Sequence, residues 1–393
     1  PEDEETLRSF KRLLDDAGRL TLQVGDGQNV TRITAPTPLH ARRWVFVAAT
    51  YRDGTGHVLW RELPRGWVAG AAEEVDATGG ARLTAVAAPL LIGALALDHD
   101  ERHKPMPVGS LNGKIERPRL WKRALSTEEL AALATDEDRS SLRDGLVADW
   151  DFSCEISSAT IVDRSPSQAH GQTVNMPTRG VAGRLWDGTE DSFRALPEHY
   201  GAIAFHEDDL EDCRWDADFT FTVPADTPTG IYAARLRAGD QREEIPFYVR
   251  PATNAAPAPI LYLAPTNTYF AYANFGQNIF RAETDPQERE RLTGTDRLLL
   301  ARRDLAGSTY DRHRDGSGVC YSSRLRPVAT FRSVAIEFLT RAPRHFSVDL
   351  YLVEWLDHLG VPYHVATDED LHRDGAALLA PYKVVLTGSH PEY

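Results

Sequence analysis

The chain is poor in the features that most often give a protein's chemistry away. Three cysteines in 393 residues, Cys154, Cys213 and Cys320, are far apart, odd in number and in no CxxC spacing, which excludes a disulfide framework and a thiolate zinc site. Such cysteine usage fits a reducing cytoplasm. No apolar run approaches the roughly 18 to 20 residues of a membrane span, and "PEDEETLRSF" has no basic-then-apolar leader pattern. Cations are outnumbered, 44 Lys and Arg against 58 Asp and Glu for a net charge of -14. Nucleic-acid affinity comes mostly from neutralising phosphates, so nucleic acid drops out as a partner. There is no GxSxG elbow, no Gly/Ser-rich amidase run, no HExxH, no GxxxxGKS and no GxGxxG. The commonest hydrolase and nucleotide signatures are therefore excluded.

What is present is an ordinary globular composition, 42% hydrophobic and 26% charged, with chain enough for two or three domains. "WVFVAATY" (Trp44 to Tyr51) alternates large and small apolar residues, and the Asp-Gly of "RDGTGHVLW" turns it into a second strand. Lys114 to Trp121 alternates as one more strand. Ser126, with Glu129 three residues on, then writes a helix capping box. This stretch resembles the last strand and following helix of laminin-G-like, concanavalin-type sandwiches. "GLVADWDFS" (Gly145 to Ser153) resembles the opening of such a domain yet comes after it. The reading is a laminin-G/concanavalin-like β-sandwich over residues 1–195 with a scaffold role, either in permuted order, the favoured order, or followed by a second truncated copy. Residues 196–252 read as a small immunoglobulin-like β unit built from "DADFTFTVP", "IYAARLRAGD" and "EEIPFYVRP", followed by a Pro- and Ala-rich linker, Ala252 to Pro259.

Over residues 253–393 the period changes. "ILYLAPTN" is a buried strand, and Phe346 to Gly360 is a helix with apolar residues at Phe346, Leu350, Val353, Leu356 and Leu359. "VPYHVATDEDL" and "YKVVLTGSH" supply two further strands, the pattern of a parallel α/β sheet. Ligands bind such sheets beyond the carboxyl ends of strands, which puts "APTNTY" and "GSHPEY" on one rim. That rim is rich in phenols: Tyr269, Tyr272 and Tyr393, with His390 and Glu392, while Tyr351 shares a polar-aromatic helix face with Glu354, Trp355 and His358. Tyrosines at element ends are ordinarily amphipathic packing residues, and His-Pro-Glu is ordinarily a turn. A bound metal is the alternative, because it depresses the pKa of its ligands. Phenolates with a carboxylate select a hard trivalent ion able to activate an amide without a serine or cysteine nucleophile.

"TVPADTPTGIYAARLRAGDQREEIPFYVRP", "LYLAPTNTYFAYANFG", "YLVEWLDHLGVPYHVATDEDL" and "VVLTGSHPEY" occur in this order, and together they resemble the N,N-dimethylformamidase large (beta) subunit family. The resemblance implies an amidohydrolase with a glutamine-amidotransferase-like α/β domain and one non-haem Fe3+ held by two tyrosines and a glutamate. Tyr393 is carried over as a metal ligand, with Tyr351 as the second and Tyr269 and Tyr272 as its rivals for that place; His390 and Glu392 are carried over as catalytic groups near the metal. The glutamate ligand is expected beyond residue 393, so the chain is expected to be part of a longer subunit with an incomplete α/β domain. A small amide such as N,N-dimethylformamide is the implied substrate, and a small second subunit in a hetero-oligomer the implied partner. Two other readings compete: a non-enzymatic, glycan- or partner-binding protein resting on the laminin-G-like domain, and a cysteine hydrolase using Cys320. The latter needs a strand-to-helix elbow that "DGSGVCYSS" does not offer.

Overall fold

The structure is a computed structural model. It describes residues 10–393 apart from 53, 64–69, 84–86, 100–104, 138, 240, 253–254, 276–285, 291, 293, 303–306 and 338–339. The extreme N-terminus and part of the expected linker, Thr253 and Asn254, lie outside the described residues. The chain divides into two compact units, Pro1–Glu207 and Asp208–Tyr393.

The first unit is built mainly of strands. β1 (Phe10–Leu14), β2 (Arg19–Gly25) and β3 (Val30–Pro38) form one antiparallel meander, and β4 (Val45–Arg52), β5 (Thr55–Glu62) and β6 (Ala72–Thr78) form another. The β4–β5 hairpin closes tightly, with Arg52 opposite Thr55 and Gly54 at φ 84. Only glycine adopts that backbone without strain. Leu22, Val24 and Ile33 pack against Val58 and Trp60, so the two meanders face each other as a sandwich. The opposite face of the second meander, Ala48 and Leu59, packs on Leu130 and Ala132 of α1 (Thr127–Ala134). The expected capping box is complete: Ser126 Oγ accepts from the Glu129 amide, and the Glu129 carboxylate accepts from the Ser126 amide. The Arg123 guanidinium donates to both Glu129 oxygens at 2.7 and 2.8 Å.

After β7 (Ala96–His99) and β8 (Pro105–Val108), the single strand expected at Lys114 to Trp121 is two, β9 (Gly113–Glu116) and β10 (Arg119–Trp121). Arg117 takes a positive φ of 43, and Pro118 has no amide hydrogen for a ladder. The break lets one segment serve two sheets. β11 (Leu146–Asp151), β12 (Thr160–Asp163) and β13 (Gly171–Gln172) extend from β10, whereas β14 (Thr178–Val181) and β15 (Ala202–Phe205) extend from β9.

Arg179 of β14 is 7% exposed. Its guanidinium donates to five carbonyl oxygens, those of Phe152, Cys154, Glu155, Ser158 and Thr160, at 2.7–3.0 Å. The loop between β11 and β12 is thus wrapped around a planar donor.

The second unit starts with a hairpin, β16 (Gly230–Ala238) and β17 (Gln241–Val249). The strand expected at Asp216 to Pro224 is not formed; Phe219 and Phe221 are 52% and 63% exposed. In place of two facing sheets there is one hairpin, whose Ile231 and Tyr248 pack on the α/β core. The Thr229 hydroxyl fastens it, donating to Val249 O and accepting from the Val365 amide.

The core sheet is parallel, in the order β19 (Tyr363–Thr367), β18 (Ile260–Ala264), β20 (Val384–Thr387). Tyr262 and Leu261 of the central strand are fully buried, while Val384 and Val385 on edge strand β20 are exposed. α2 (Thr266–Tyr272) follows β18, α3 (Pro286–Arg289) and α4 (Gly294–Ala301) come next, and α5 (Phe346–Leu359) precedes β19. α6 (Asp368–Asp374) leaves β19 through a second capping box, Thr367 with Asp370. Of the expected stripe on α5, Phe346, Val353 and Leu356 are buried and Leu359 is exposed; Gly360 ends the helix at φ 65.

Replacing Arg179 with leucine should destabilise the protein by about 3 kcal/mol, because several buried carbonyls lose a shared donor at once. Arg179→Lys should recover only part of that, since one ammonium cannot reproduce the planar fork. Urea denaturation of the three proteins checks the order.

Candidate active site

The sequence after β18 is Pro-Thr-Asn-Thr-Tyr-Phe-Ala-Tyr, and the sequence after β20 is Gly-Ser-His-Pro-Glu-Tyr. The two strands are paired neighbours, with Leu263 opposite Thr387, so both segments emerge at the same carboxyl rim. Their polar groups then bond to one another. The Thr268 hydroxyl, fully buried, accepts from the amides of Glu392 at 3.0 Å and Tyr393 at 3.2 Å. The Tyr272 hydroxyl donates to Glu392 Oε2 at 2.7 Å and lies 3.4 Å from His390 Nε2. Beneath them Tyr269 donates to Asp349 Oδ2, while Asp349 Oδ1 accepts from the Ser389 amide at 2.7 Å. A Cβ on Gly388 would collide with that carboxylate, so close approach is why glycine stands there.

Tyr310, from an irregular segment, completes the group. Its hydroxyl donates to Glu392 Oε1 at 2.7 Å and lies 2.8 Å from the Tyr393 hydroxyl. Its ring stacks on Tyr272 at 4.1 Å, and Tyr272 stacks in turn on His345 at 4.2 Å. The Arg344 guanidinium lies 5.4 Å from the Tyr272 ring centre, a cation–π contact. The result is a layered column of rings with a carboxylate and three phenol oxygens along one side.

The electrostatics follow from this crowding. Burial, then hydrogen bonds with Tyr272, Tyr393 and Glu392, push the Tyr310 hydroxyl well above the ordinary phenol range. Hydrogen bonds from Tyr310 and Tyr272, with His390 behind them, hold the Glu392 carboxyl below its usual value. His345 lies partly buried, and that burial, reinforced by Arg344 and His390, lowers its pKa to about 4. It is therefore a neutral imidazole at ordinary pH. Its Nε2 is buried without a hydrogen-bond partner, and its backbone sits at φ 52, ψ -123 just ahead of α5.

Among the residues expected from sequence, His390, Glu392 and Tyr393 come together with Tyr272. Tyr269 lies one layer deeper, 4% exposed, as part of the packing. Tyr351 stands 58% exposed on α5, its face-mates Glu354, Trp355 and His358 are also exposed, and no described hydrogen bond joins it to the rim. Cys320 is exposed in a segment that is not helical. Sequence reasoning missed Tyr310, His345, Thr268 and Asp349. Asp349 did leave a signal, a carboxylate at a core-facing position between Phe346 and Val353.

The donor set at the rim is hard and all-oxygen: two phenols and a carboxylate in mutual contact. Without a cation their protons are locked into the network; a trivalent ion is the kind of charge that would displace them. The residues therefore fit a hard, highly charged cation. Elsewhere in the unit, His313 is buried, its Nδ1 2.8 Å from Asp208 Oδ1. No helix among the described residues is long and apolar enough to cross a membrane.

Comparison with known proteins agrees with this architecture. Residues 3–131 match the concanavalin A-like lectin/glucanases superfamily, in its laminin-G form, and residues 178–393 match the family described as N,N-dimethylformamidase beta subunit-like, C-terminal. The N,N-dimethylformamidase beta subunit of Paracoccus aminophilus is 37% identical over 96% of this chain and 52% of its own length. That of an Alcaligenes species is 35% identical over 100% of this chain and 53% of its own. The chain thus spans about half the length of these curated relatives. With more than half of its residues inside the family match and its rim motifs assembled into one site, the chain belongs to the N,N-dimethylformamidase beta subunit family.

Proposed function

We propose that this chain supplies the phenol–carboxylate rim of an amidohydrolase that cleaves N-substituted formamides such as N,N-dimethylformamide to formate and dimethylamine. The observation that carries the reading is the meeting of a Glu392 oxygen, at 2.7 Å, and the Tyr393 hydroxyl, at 2.8 Å, on the Tyr310 hydroxyl at the carboxyl end of the parallel sheet. Tyr393 and Tyr310 would hold a single non-haem ferric ion. Tyr310 takes, in this proposal, the place for which the family resemblance put Tyr351 first. Bound there, the ion would supply Lewis-acid polarisation of the amide carbonyl.

The remaining work belongs to the chain's own groups. Thr268 fixes the backbone of Glu392 and Tyr393, and the Tyr272 hydroxyl keeps the Glu392 carboxylate in place. His390 Nε2 lies 3.0 Å from Glu392 Oε2, and the ring is about half exposed. It is placed to carry a proton between solvent and the departing nitrogen, with Glu392 orienting it. A small partner subunit and a hetero-oligomer complete the proposal, as the relatives' designation as beta subunits implies.

Iron analysis, visible absorption and release of dimethylamine test this in the assembled enzyme. Tyr393→Phe and Tyr310→Phe should each abolish or strongly weaken a tyrosinate-to-iron band and reduce turnover by at least about a hundredfold, the scale of a lost electrostatic stabiliser. Tyr351→Phe should leave both nearly unchanged. An iron-free active enzyme, or a band that responds to Tyr351 and not to Tyr310, would refute the assignment.

The depressed basicity of His345 makes a separate prediction. A histidine whose pKa falls from 6.5 to about 4 on folding binds fewer protons folded than unfolded between those values. The stability difference is therefore fully present above 6.5 and lost as pH falls towards 4. His345→Gln should flatten this slope. Denaturation midpoints of both proteins at pH 7 and pH 5 measure it.

A further inference from the structure

Tyr310 comes to the rim on an irregular segment, with no helix or strand to aim it. The C-terminal end of α2 aims it instead. The last carbonyls of a helix have no partner within it, and three of those at the end of α2 are met by residues 309–326. Phe270 O accepts from the Ser322 hydroxyl at 2.8 Å. Ala271 O accepts from both the amide and the hydroxyl of Thr309, at 2.9 and 3.1 Å, and Ala273 O accepts from the Arg326 guanidinium at 3.2 Å. The residue before Tyr310 is thus docked on the residue before Tyr272, the register that brings the two rings into their stack.

Arg326 locks this joint. It is 6% exposed, and each of its three guanidinium nitrogens donates: Nε to Ser323 O at 2.9 Å, Nη1 to Gly307 O at 2.8 Å, and Nη2 to Ala273 O and to the Ser322 hydroxyl, the latter at 3.0 Å. Gly307 shortly precedes Tyr310 and Ala273 directly follows Tyr272, so one planar cation spans the two segments that carry the stacked rings. Between Gly307 and the ring the chain is stiff, because Asp311 Oδ2 accepts from the amide and hydroxyl of the fully buried Ser308 at 2.7 and 3.0 Å. Burial pushes the Arg326 pKa down to about 10, and the group remains charged at neutral pH. Hydrogen bonds from a charged donor are the stronger kind, and a lysine ammonium cannot reproduce the rigid fork.

We propose that Arg326 is a positioning residue of the site: by joining the end of α2 to the turn that carries Tyr310, it sets the Tyr310 hydroxyl at its contacts with Glu392 and Tyr393. The catalytic consequence rests on the amidohydrolase reading; the geometric one does not. None of its described partners belongs to the rim, so it acts on the reacting groups through the backbone. A misplaced Tyr310 would leave substrate capture intact and weaken the step that needs the assembled oxygens, since a displacement of about 1 Å costs up to about a hundredfold in rate. The effect therefore falls on kcat and not on KM.

Two measurements on the assembled protein test this, one of them without turnover. Hydrogen exchange read by mass spectrometry should show the amides of residues 307–311 exchanging about tenfold faster in Arg326→Lys than in wild type, with β18 and α5 unchanged. Steady-state kinetics of the same variant should show kcat lower by at least about tenfold and KM within about twofold. Arg326→Lys combined with Tyr310→Phe should be no slower than Tyr310→Phe alone, because the first acts through the second; a purely structural role would multiply the two losses. Should Arg326→Lys not fold, Ser322→Ala, which removes one acceptor of the guanidinium and its own bond to Phe270 O, makes the same comparisons, with changes in the same direction. Unchanged exchange over residues 307–311, a loss carried by KM, or losses that multiply would overturn the proposal. A wild-type protein that cleaves no amide would refute the catalytic reading, and exchange alone would then decide whether Arg326 holds Tyr310 in place.

Discussion

The Asp349 carboxylate is the point on which the second unit's functional end depends. It is buried to 4% exposure, with Tyr269 of α2 donating to one oxygen and the Ser389 amide beyond β20 donating to the other. A carboxylate removed from water must be compensated by short, well-aimed donors, and these two come from segments far apart in the sequence. The Tyr269 hydroxyl lies 3.1 Å from that of Tyr262 on the central strand, so strand, helix and terminal motif are tied to one anion. Hydrophobic packing alone would leave the Gly388–Tyr393 segment free to slide along edge strand β20. The carboxylate, with Thr268 above it, fixes its register.

The same logic explains why the rim can hold phenols so close together. Tyr272 is clamped between the Tyr310 and His345 rings, so its orientation is set by stacking before its hydroxyl meets Glu392. Glu392 is held by donors on both oxygens. A site assembled this way needs little rearrangement when charge develops, which is the condition for electrostatic catalysis.

Much of this was legible in the sequence wherever a period or a cap was present. The α5 stripe and its Gly360 stop, the Ser126–Glu129 box, the Asp-Gly hairpin and the placing of both rim motifs at strand ends all follow from local rules. Legibility failed where tertiary partners decide. "DADFTFTVP" alternates as a strand should, yet among the described residues no second strand accepts its ladder, and its phenylalanines are exposed. Pro118 split a strand whose alternation looked continuous. Tyr310 and His345 sit in the irregular stretch between α4 and α5, where no periodicity announces a side chain's direction, and only their long-range partners on α2 and after β20 give them meaning. Tyr351, at a helix position that shares its face with polar and aromatic side chains, has the pattern of a pocket wall but faces solvent.

The backbone at His345 has a consequence for anyone who would evolve or stabilise this protein. A non-glycine residue held at φ 52, ψ -123 costs of order 1–3 kcal/mol, and glycine would relieve most of that. A screen for heat resistance that reads only folded protein would therefore be drawn to this position among the first. It would discard the imidazole that stacks on Tyr272, trading the ring column for stability. The persistence of a histidine there can serve as a marker when homologous chains are sorted by whether they keep the rim intact.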